Sequence, residues 1–371
     1  MKRNLLFLLF ISAFCACKKE KEPVTQPVQP PVNTETLKSV ATFPVGAAID
    51  PNLATNNIGY RTTVKTEYNS ITTENTAKLN WIHPQQNNWN FSGTDQLIAF
   101  AQANSLRVHG HTLIWHAFEE VDWVKNFTGD SAAWEAMFKN HIQTIVTRYK
   151  GKVKSWDVVN EAFTDEGKLR LDQSGNAGQS PNGSIWARKL GSDYIARAFQ
   201  YAHEADPDAL LFYNEYGLEN QGIEAKLNAV VNMINTFKSR GIPIHGVGTQ
   251  THIGVSAPDA GITNALQKLA STGLLVHISE LDILVSDWTN NPNLVYTPQL
   301  QEKQSNKYQF IAQTYKASVP PAQRYGITTW NVGDADSWIR TYIKFTDWPL
   351  PFDERYSRKN AYQGYLKGLK L

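Results

Sequence analysis

The feature that most constrains the fold of this chain is a regular alternation of short apolar, β-branched segments with amphipathic helical segments. The eight strand-like segments are VGAAI (45–49), YNSITTEN (68–75), LRVHGHTLIWH (106–116), KSWDVVNEAF (154–163), ALLFYNEYG (209–217), IHGVGTQTHI (244–253), LLVHISELDI (274–283) and YGITTWNV (325–332). Between them lie segments with apolar residues at helical spacing, such as DQLIAFAQAN and NKYQFIAQTYKAS. Eight strand-then-helix units in about 330 residues predict an α/β fold, a (β/α)8 TIM barrel formed as a single domain. An open doubly wound sheet is the alternative.

Composition and missing motifs limit the partners that the chain can have. No glycine-rich phosphate-binding loop follows any of the predicted strands, which counts against the nucleotide-binding role typical of a doubly wound sheet. The 36 lysine and arginine residues barely outnumber the 34 aspartate and glutamate residues, so the chain lacks the basic excess that attracts nucleic acid or an anionic membrane surface. Its 11 tryptophans, 15 tyrosines and 16 phenylalanines suit the apolar faces of sugar rings. We therefore expect a neutral partner and no nucleic acid. We also expect the protein to be a monomer.

The N-terminus predicts export. Lys2 and Arg3 precede the apolar run LLFLLFISAF, which is too short to span a bilayer and is typical of a signal peptide. The two cysteines of the chain, Cys15 and Cys17, lie at the end of this run, so no disulfide is expected in the mature domain. Ala16 before Cys17 resembles a bacterial lipoprotein signal, in which Cys17 becomes the acylated first residue. Plain cleavage near Ala16 without a lipid is the alternative.

Three regions follow from this pattern. Residues 1–17 are predicted to form the lipoprotein-type signal peptide with Cys17 as the acylated residue, and we expect the chain to meet a membrane only through a lipid anchor there. Residues 18–36 are polar and Pro-rich, and we expect them to stay extended as a disordered tether. No linker or repeat interrupts residues 37–371, which we interpret as one domain. The protein is thus predicted to be an outer-membrane or cell-surface lipoprotein, or a secreted protein if Cys17 is not acylated.

The polar residues of the strand-like segments share one position. In seven of the segments the apolar residues come first and the polar residues second. They are Glu74 and Asn75, His111 and His116, Asn160 and Glu161, Asn214 and Tyr216, Gln250 and His252, Glu280 and Asp282, and Trp330 and Asp334. In a parallel barrel the C-terminal ends of all strands lie on the same face, where barrel enzymes have their active sites. These side chains are therefore expected to converge on one rim.

Two glutamates among these residues indicate a chemistry. Glu161 and Glu280 each end a presumed strand, and two carboxyl groups across a sugar-binding cleft are what glycosidic bond cleavage requires. For either glutamate alone, an ion pair at the end of a strand is the alternative. His111 and His116 are separated by an odd number of positions on a presumed strand, so side-chain alternation sends them to opposite faces. We therefore expect no metal site and no cofactor.

At this point the sequence resembles glycoside hydrolase family 10, whose members are chiefly endo-β-1,4-xylanases with a (β/α)8 barrel and a retaining mechanism. The resemblance runs from about residue 40 to the end and rests on six motifs in order: NSITTENTAK, GHTLIWH, WDVVNEAF, GVGTQTH, ISELDI and ITTWNVGDADSW. It implies a retaining endo-β-1,4-xylanase in which Glu161 is the acid/base and Glu280 the nucleophile. By the same matching the substrate-binding residues are Glu74, Asn75 and Lys78 on the glycone side, His111, Trp115, Asn160, Gln250 and His252 around the cleaved sugar, and Trp330 and Trp338 as walls of the cleft. Tyr216 is also assigned to substrate binding.

Several local expectations follow from these roles. Asn160 and Glu161 are adjacent, so a bulge or turn at the end of the strand has to bring both into the cleft. A hydrogen bond from His252 is expected to keep Glu280 ionised. Trp330 and ionised Glu280 are expected to raise the pKa of Glu161, so that it stays protonated.

The sequence also departs from the family pattern. Leu79 stands where relatives usually carry tryptophan, Phe118 lies where a glutamine-containing stretch is common, NEYG replaces NDYN, and Asn331 replaces a glycine. Chain-length preference and tolerance of side chains on the substrate therefore stay open. So do a related β-glucan-cleaving enzyme and a non-catalytic glycan-capture lipoprotein, although the presence of both glutamates counts against the latter.

The predicted anchor can be tested directly. We expect Cys17→Ala to release the protein from the membrane fraction without changing its kinetics, because Cys17 is the predicted acylation site and precedes the predicted domain in the sequence. Fractionation followed by an activity assay measures both. Equal retention of the variant and the wild type on membranes would contradict the prediction.

Overall fold

The computed structural model describes residues 34–118, 121–171, 183–222 and 224–370. Cys17 and residues 18–33 of the predicted tether lie outside the described residues. The folded unit begins at Glu35, two residues before the predicted boundary at 37. Lys370 Nζ lies 2.5 Å from the carboxylate of Glu35, and the Thr36 hydroxyl accepts a hydrogen bond from Ser39 N at the start of the first helix.

Ten strand segments form one sheet in the described part of the chain. They are β1 (Val45–Ile49), β2 (Ser70–Thr73), β3 (Arg107–Gly110), β4 (Ile114–Trp115), β5 (Ser155–Asn160), β6 (Leu210–Glu215), β7 (Gly246–Thr249), β8 (His252–Gly254), β9 (Leu275–Leu284) and β10 (Arg324–Thr329). Eight of them pair in parallel in the order β1, β2, β3, β5, β6, β7, β9, β10, and β10 pairs with β1 to close the ring. The fold is therefore a (β/α)8 TIM barrel, as predicted.

Helices lie between the strands. The described helices are α1 (Leu37–Val40), α2 (Pro51–Asn56), α3 (Ile58–Glu67), α4 (Leu79–Ile82), α5 (Ser92–Ala103), α6 (Asp122–Lys125), α7 (Ser131–Arg148), α8 (Ile185–Leu190), α9 (Tyr194–Ala205), α10 (Glu224–Ser239), α11 (Asp259–Ser271), α12 (Pro298–Ser318), α13 (Trp338–Thr341) and α14 (Asn360–Lys370), with short 3-10 turns at His116–Phe118 and Pro321–Gln323. Local sequence sets several starts: Asp130 caps α7, and Thr297 caps α12 before a proline at its first position. Among the described residues, none of the helices combines the length and the apolar composition that a membrane span needs.

Aromatic and imidazole rings pack together inside the lower part of the barrel. The rings of His109, Phe212, His277 and Tyr325 contact one another with centroid distances from 4.5 to 6.2 Å. All four residues are buried, and such ring pairs add stabilisation beyond the area that they bury. This packing fills the barrel below the strand ends, so the open space lies above it, at the C-terminal rim.

Two of the predicted strands are interrupted where they reach the rim. The segment 106–116 divides into β3 and β4, and the segment 244–253 divides into β7 and β8. Regular side-chain alternation therefore does not carry from His111 to His116. The prediction that these two histidines lie on opposite faces is wrong, because the chain leaves the extended conformation between them and both line the same cavity.

The contact between α12 and α14 provides a test of packing outside the cavity. A Cβ at Gly364 would lie 1.9 Å from the backbone carbonyl oxygen of Ser305, which cannot move without shifting α12. We expect Gly364→Ala to lower the free energy of unfolding by about 1–3 kcal/mol through overpacking, although glycine-to-alanine changes in open helices stabilise by about 0.4–1 kcal/mol. Denaturant unfolding measures the change.

Gly59→Ala is the matched control, because the atoms nearest to its Cβ would be the Tyr356 side chain at 3.1 Å, Asn57 Oδ1 at 3.4 Å and the Arg355 carbonyl oxygen at 3.8 Å, none of them as close as Ser305 O is at Gly364. Its unfolding free energy is expected to stay within about 1 kcal/mol of the wild type. Equal stabilities for the two variants would contradict the packing argument.

Candidate active site

A cavity of about 1060 Å³ opens at the C-terminal ends of the barrel strands. Every residue that the sequence predicts for catalysis or substrate binding lines it. These residues are Glu74, Asn75, Lys78, His111, Trp115, Asn160, Glu161, Tyr216, Gln250, His252, Glu280, Trp330 and Trp338. Asn214, Asp282 and Asp334, also expected to converge at the rim, do not line the cavity. The carboxylate of Asp334 is fully buried and accepts hydrogen bonds from Lys359 Nζ (2.8 Å) and Leu350 N (3.0 Å) instead.

Glu280 is a carboxylate held from two sides. It lies within β9 and is only 4% exposed. Asn214 Nδ2 donates to its Oε1 at 2.7 Å, and His252 Nε2 lies 3.3 Å from its Oε2. The other ring nitrogen of His252 bonds to Asp282 Oδ2 at 2.8 Å, and Trp338 Nε1 donates to the same oxygen at 2.7 Å. A chain of hydrogen bonds that runs from Trp338 through Asp282 and His252 therefore holds the carboxylate of Glu280 in place.

His252 carries a positive charge in this chain of hydrogen bonds. Burial lowers the pKa of its imidazole, but the charges of Asp282 and Glu280 and the hydrogen bonds to them outweigh burial and raise it to about 10. The expected hydrogen bond between His252 and Glu280 is present, with a cationic donor. Because this pKa is raised above the ordinary value of about 6.5, the stabilisation from the charge is complete below that pH and is lost as the pH rises through about 10.

The backbone changes direction where β5 meets Glu161. The register of β5 against β6 shifts between Asp157 and Val159, and Glu161 adopts φ of 56°, in the left-handed region that glycine favours. This irregularity turns the side chains of Asn160 and Glu161 into the same cleft, as expected from the need to bring adjacent residues together. A non-glycine residue in this conformation costs roughly 1–3 kcal/mol and persists only where the surroundings hold it.

Three side chains donate to the carboxylate of Glu161. Gln250 Nε2 donates to Oε1 at 2.7 Å, Asn160 Nδ2 to the same oxygen at 3.2 Å, and Trp115 Nε1 to Oε2 at 2.9 Å. Asn160 and Gln250, predicted as contacts of the sugar, thus also position Glu161.

The pKa of Glu161 differs from the prediction. Burial raises it, but His116, the donors Gln250 and Trp115, and the cation of Lys226 lower it, and the pKa lies below the ordinary value for glutamate. Burial lowers the pKa of His116 to about 4, so above that pH the lowering comes from the donors and from Lys226. The expectation of a raised pKa is therefore wrong for the unliganded site, because donors and a cation surround this carboxylate.

Comparison with known proteins agrees with this geometry. A sequence model of one family of carbohydrate-cleaving proteins matches residues 34–367. The chain belongs to glycosyl hydrolase family 10.

Several proteins that are similar to this family 10 chain are xylanases. Endo-1,4-beta-xylanase A of Cellvibrio japonicus is 36% identical over 354 residues, which cover 90% of this chain and 56% of the relative. An endo-1,4-beta-xylanase of Geobacillus stearothermophilus is 34% identical over 332 residues, which cover 86% of this chain and 94% of the relative. A solved structure of a xylanase 10C variant from Cellvibrio japonicus in complex with xylopentaose is similar with a TM-score of 0.79 and 34% identity, and the match covers 91% of this chain and 69% of that chain. This chain thus spans little more than half the length of the first relative.

On one side of Glu280 the family 10 cleft holds a cation between two indoles. Lys78 Nζ lies 5.1 Å from the ring centroid of Trp115 and 5.4 Å from that of Trp330, and donates to Asn75 Oδ1 at 2.9 Å. Burial lowers the pKa of Lys78, against the opposing effect of the Glu74 carboxylate. An ammonium group, a carboxamide and aromatic faces together suit the hydroxyl groups and the apolar face of a sugar.

Two of the departures from the family pattern lie at buried positions. Leu79 is 5% exposed and packs in the core, so it does not line the cleft, and neither does exposed Trp81. Asn331 adopts φ of 79°, which explains why glycine is common there, and asparagine tolerates this conformation. Its Oδ1 accepts a hydrogen bond from Trp338 N at 2.9 Å, so the side chain supports a wall of the cleft. The side chain of Phe118 lies outside the described residues.

Sequence reasoning placed Asn214 at the rim without giving it a role in the site, and it missed Asp157. Asn214 joins the two glutamates, because its Nδ2 donates both to Asn160 Oδ1 (3.0 Å) and to Glu280 (2.7 Å). Asp157 lies 2.8 Å from His111 Nδ1 inside the barrel. A signal for both exists in the sequence, since each is a polar residue inside an otherwise apolar strand.

Removing the charge behind His252 tests the electrostatics of the site. Asp282→Asn removes the carboxylate that contributes most to raising the pKa of His252. The effect of burial is then no longer offset, so the pKa of His252 should fall well below 10 and the imidazole should be neutral at pH 8. We expect kcat/KM at pH 8 to fall at least about tenfold, because a hydrogen bond to a charged group contributes ~1.5–3 kcal/mol. An NMR titration of the His252 ring measures the pKa, and initial rates measure the loss.

Asp259→Asn removes an exposed carboxylate on α11 and is the control; it should change neither quantity. A His252 pKa near 10 in Asp282→Asn would contradict the assignment.

Proposed function

We propose that the chain is a retaining endo-β-1,4-xylanase that hydrolyses internal xylosidic bonds of xylan. The observation that carries this proposal is the pair of carboxylates, buried Glu280 and partly buried Glu161, which face one cleft and are joined through Asn160 and Asn214. Such a pair is what double displacement at an anomeric carbon requires. The relatives, which are endo-1,4-beta-xylanases, support xylan as the substrate class.

In the first step Glu280 acts as the nucleophile. Its carboxylate attacks the anomeric carbon, and the bond to the leaving sugar oxygen breaks while Glu161 donates a proton to that oxygen. His252, as a cation, lies 3.3 Å from Glu280 and holds that carboxylate in position before the attack. In the second step Glu161 takes a proton from water, which attacks the glycosyl-enzyme and releases Glu280. The Asn160 amide is suitably located for the 2-hydroxyl of the sugar, a contact that strengthens in the transition state.

Contacts with the substrate would act against the groups that hold the pKa of Glu161 below its ordinary value. A sugar chain in the cleft excludes water, and the leaving oxygen competes for the donors that hold the free carboxylate. Both changes raise the pKa of a buried carboxyl. Substrate binding is therefore proposed to favour the protonated form of Glu161, which is the form that acts as the acid.

The ends of the cleft suit different parts of a xylan chain. Glu74, Asn75 and Lys78 are proposed to bind the glycone side, with Trp115 and Trp330 packing on sugar faces. On the opposite side, past Glu161, Tyr216 offers an aromatic ring to the aglycone. The relative bound to xylopentaose supports a chain of several sugars in a cleft of this kind. His111, Gln250, His252 and Trp338 are proposed to surround the cleaved sugar.

The proposal extends to the location of the enzyme. A lipid on Cys17 would hold the domain at the membrane through the tether 18–36, where it would meet an extracellular polysaccharide.

Product stereochemistry tests the mechanism and the substrate together. The purified protein should release reducing ends from xylan and not from cellulose or mixed-linkage glucan. Glu161→Ala should still be glycosylated by an aryl β-xylobioside with a good leaving group, and azide should restore turnover and yield the β-glycosyl azide. Glu280→Ala should yield the α-glycosyl azide, because only one inversion then occurs.

NMR of the products distinguishes the anomers. An α azide from Glu161→Ala, or α sugar released by the wild type from a β substrate, would overturn the roles of the two glutamates. Preferred cleavage of mixed-linkage glucan would change the substrate class but not the mechanism.

A further inference from the structure

A fully buried cation lies behind the cleft, beneath Tyr216. Lys226, at the start of α10, has a side-chain exposure of 0%. Its Nζ lies 3.1 Å from the centroid of the Tyr216 ring, 3.0 Å from Glu215 Oε1 and 3.2 Å from Asp165 Oδ1. Burial lowers the pKa of this amine, but Glu215, Tyr216 and Asp165 outweigh burial and raise it. A buried ion pair of this kind costs desolvation energy, which indicates that it has a function other than stabilising the fold.

The anion of the pair holds the backbone turn that carries Glu161. Glu215 Oε2 accepts a hydrogen bond from Phe163 N at 3.2 Å and another from the Tyr213 hydroxyl at 2.6 Å. The same Tyr213 hydroxyl accepts from Ala162 N at 2.9 Å. The two residues that follow Glu161 are thus tied to Glu215, which is fully buried and has Lys226 as a cationic partner.

Further bonds complete the support of this turn. Glu161 N donates to Asn214 O at 2.9 Å, and Arg170 Nε donates to Glu161 O at 2.9 Å. Arg170 Nη2 also donates to the Tyr216 hydroxyl at 3.0 Å. The left-handed conformation of Glu161 is therefore maintained by groups that also hold the ring of Tyr216.

We propose that Lys226 is a positioning residue for catalysis: it neutralises Glu215 so that this carboxylate fixes the turn of Glu161, and it seats the Tyr216 ring that binds the aglycone sugar. This inference rests on the proposed roles of Glu161 and Tyr216. Lys226 touches neither the substrate nor the reacting atoms and acts through Glu215 and Tyr216. Through its contacts with Glu215 and Tyr216, one buried ammonium group thus supports both proton donation and aglycone binding.

Charge reaches Glu161 from several elements. The titratable groups that face it are His116 and Arg170 on its own side of the cleft, Glu215 and Lys226 behind it, and Lys78 and Glu280 across the cleft. Among these, Lys226 is one of the cations that lower the pKa of Glu161. Removal of its charge should raise that pKa and move the high-pH limb of the rate profile to higher pH.

The test compares two substrates in Lys226→Met. Xylan has a poor leaving group and needs the acid, whereas a dinitrophenyl β-xylobioside does not. We expect kcat/KM on xylan to fall about 10- to 100-fold, part of the 10²–10⁴-fold that general acid catalysis contributes. On the dinitrophenyl substrate kcat/KM should stay within about threefold of the wild type, because it reports the first step alone. A lysine with a merely structural role would reduce both equally, and that result would overturn the inference.

A second variant guards against misfolding, since Lys226→Met leaves Glu215 buried without its cation. In Lys226→Met/Glu215→Gln no charge needs a partner, and the glutamine carbonyl can accept from Phe163 N and Tyr213. The kcat/KM of this variant on xylan should be at least about fivefold higher than that of Lys226→Met. The high-pH limb of its rate profile should lie at higher pH than that of the wild type. If the single variant fails to fold, two measurements on the double variant test the inference. They are the pH of the high-pH limb of its rate profile and the ratio of its kcat/KM values on xylan and on the dinitrophenyl substrate. An unshifted limb together with an unchanged ratio would overturn the inference.

Lys139→Met is the matched control, because it breaks an exposed ion pair with Glu204 (2.8 Å) far from the cleft. It should leave both substrates and the limb unchanged. A failure of the proposed function would give a different result, because the wild-type protein itself would then not cleave xylan.

Discussion

Closure of the parallel sheet is the constraint on which the rest of this structure depends. Because β1 hydrogen-bonds to β2 on one side and to β10 on the other, the backbone groups of the described barrel strands are satisfied without an open edge. Closure with helical crossovers also makes all eight strands run in the same direction. Their C-terminal ends meet at one rim, so residues as distant in the sequence as Glu74 and Trp330 line one cleft.

A closed barrel has an interior, and this one contains both rings and charges. Below the rim the rings of Phe212 and Tyr325 pack with imidazoles, while nearer the rim the buried side chains of His252 and Lys226 are paired with carboxylates. His252 lies between two carboxylates, and Lys226 pairs with Glu215. Unpaired, any of these groups would change its protonation state or destabilise the fold. Pairing allows the site to hold ionised groups away from bulk water, where their fields act strongly on a reacting bond.

Much of this could be predicted from single segments. The alternation of strand and helix patterns identified the barrel, and polar residues at the strand ends identified the cleft, including Glu161 and Glu280. The predictions failed where the chain departs from regular geometry. The break between β3 and β4 brings His111 and His116 to one cavity, and Asp334 turns away to Lys359. Period-two alternation assumes an uninterrupted strand, and strands are least regular at the rim where active sites form.

The sequence by itself determined at which end of each strand the polar residues collect, because the order of apolar and polar residues in each strand sets which end is polar. It also determined that Glu161 and Glu280 would be among them. Only the tertiary structure decided their electrostatic states. The charge on His252 and the lowered pKa of Glu161 arise from groups contributed by other strands and helices, such as Asp282, Gln250 and Lys226. A pKa is a sum over neighbours in space and over the water that they exclude, and folding creates both.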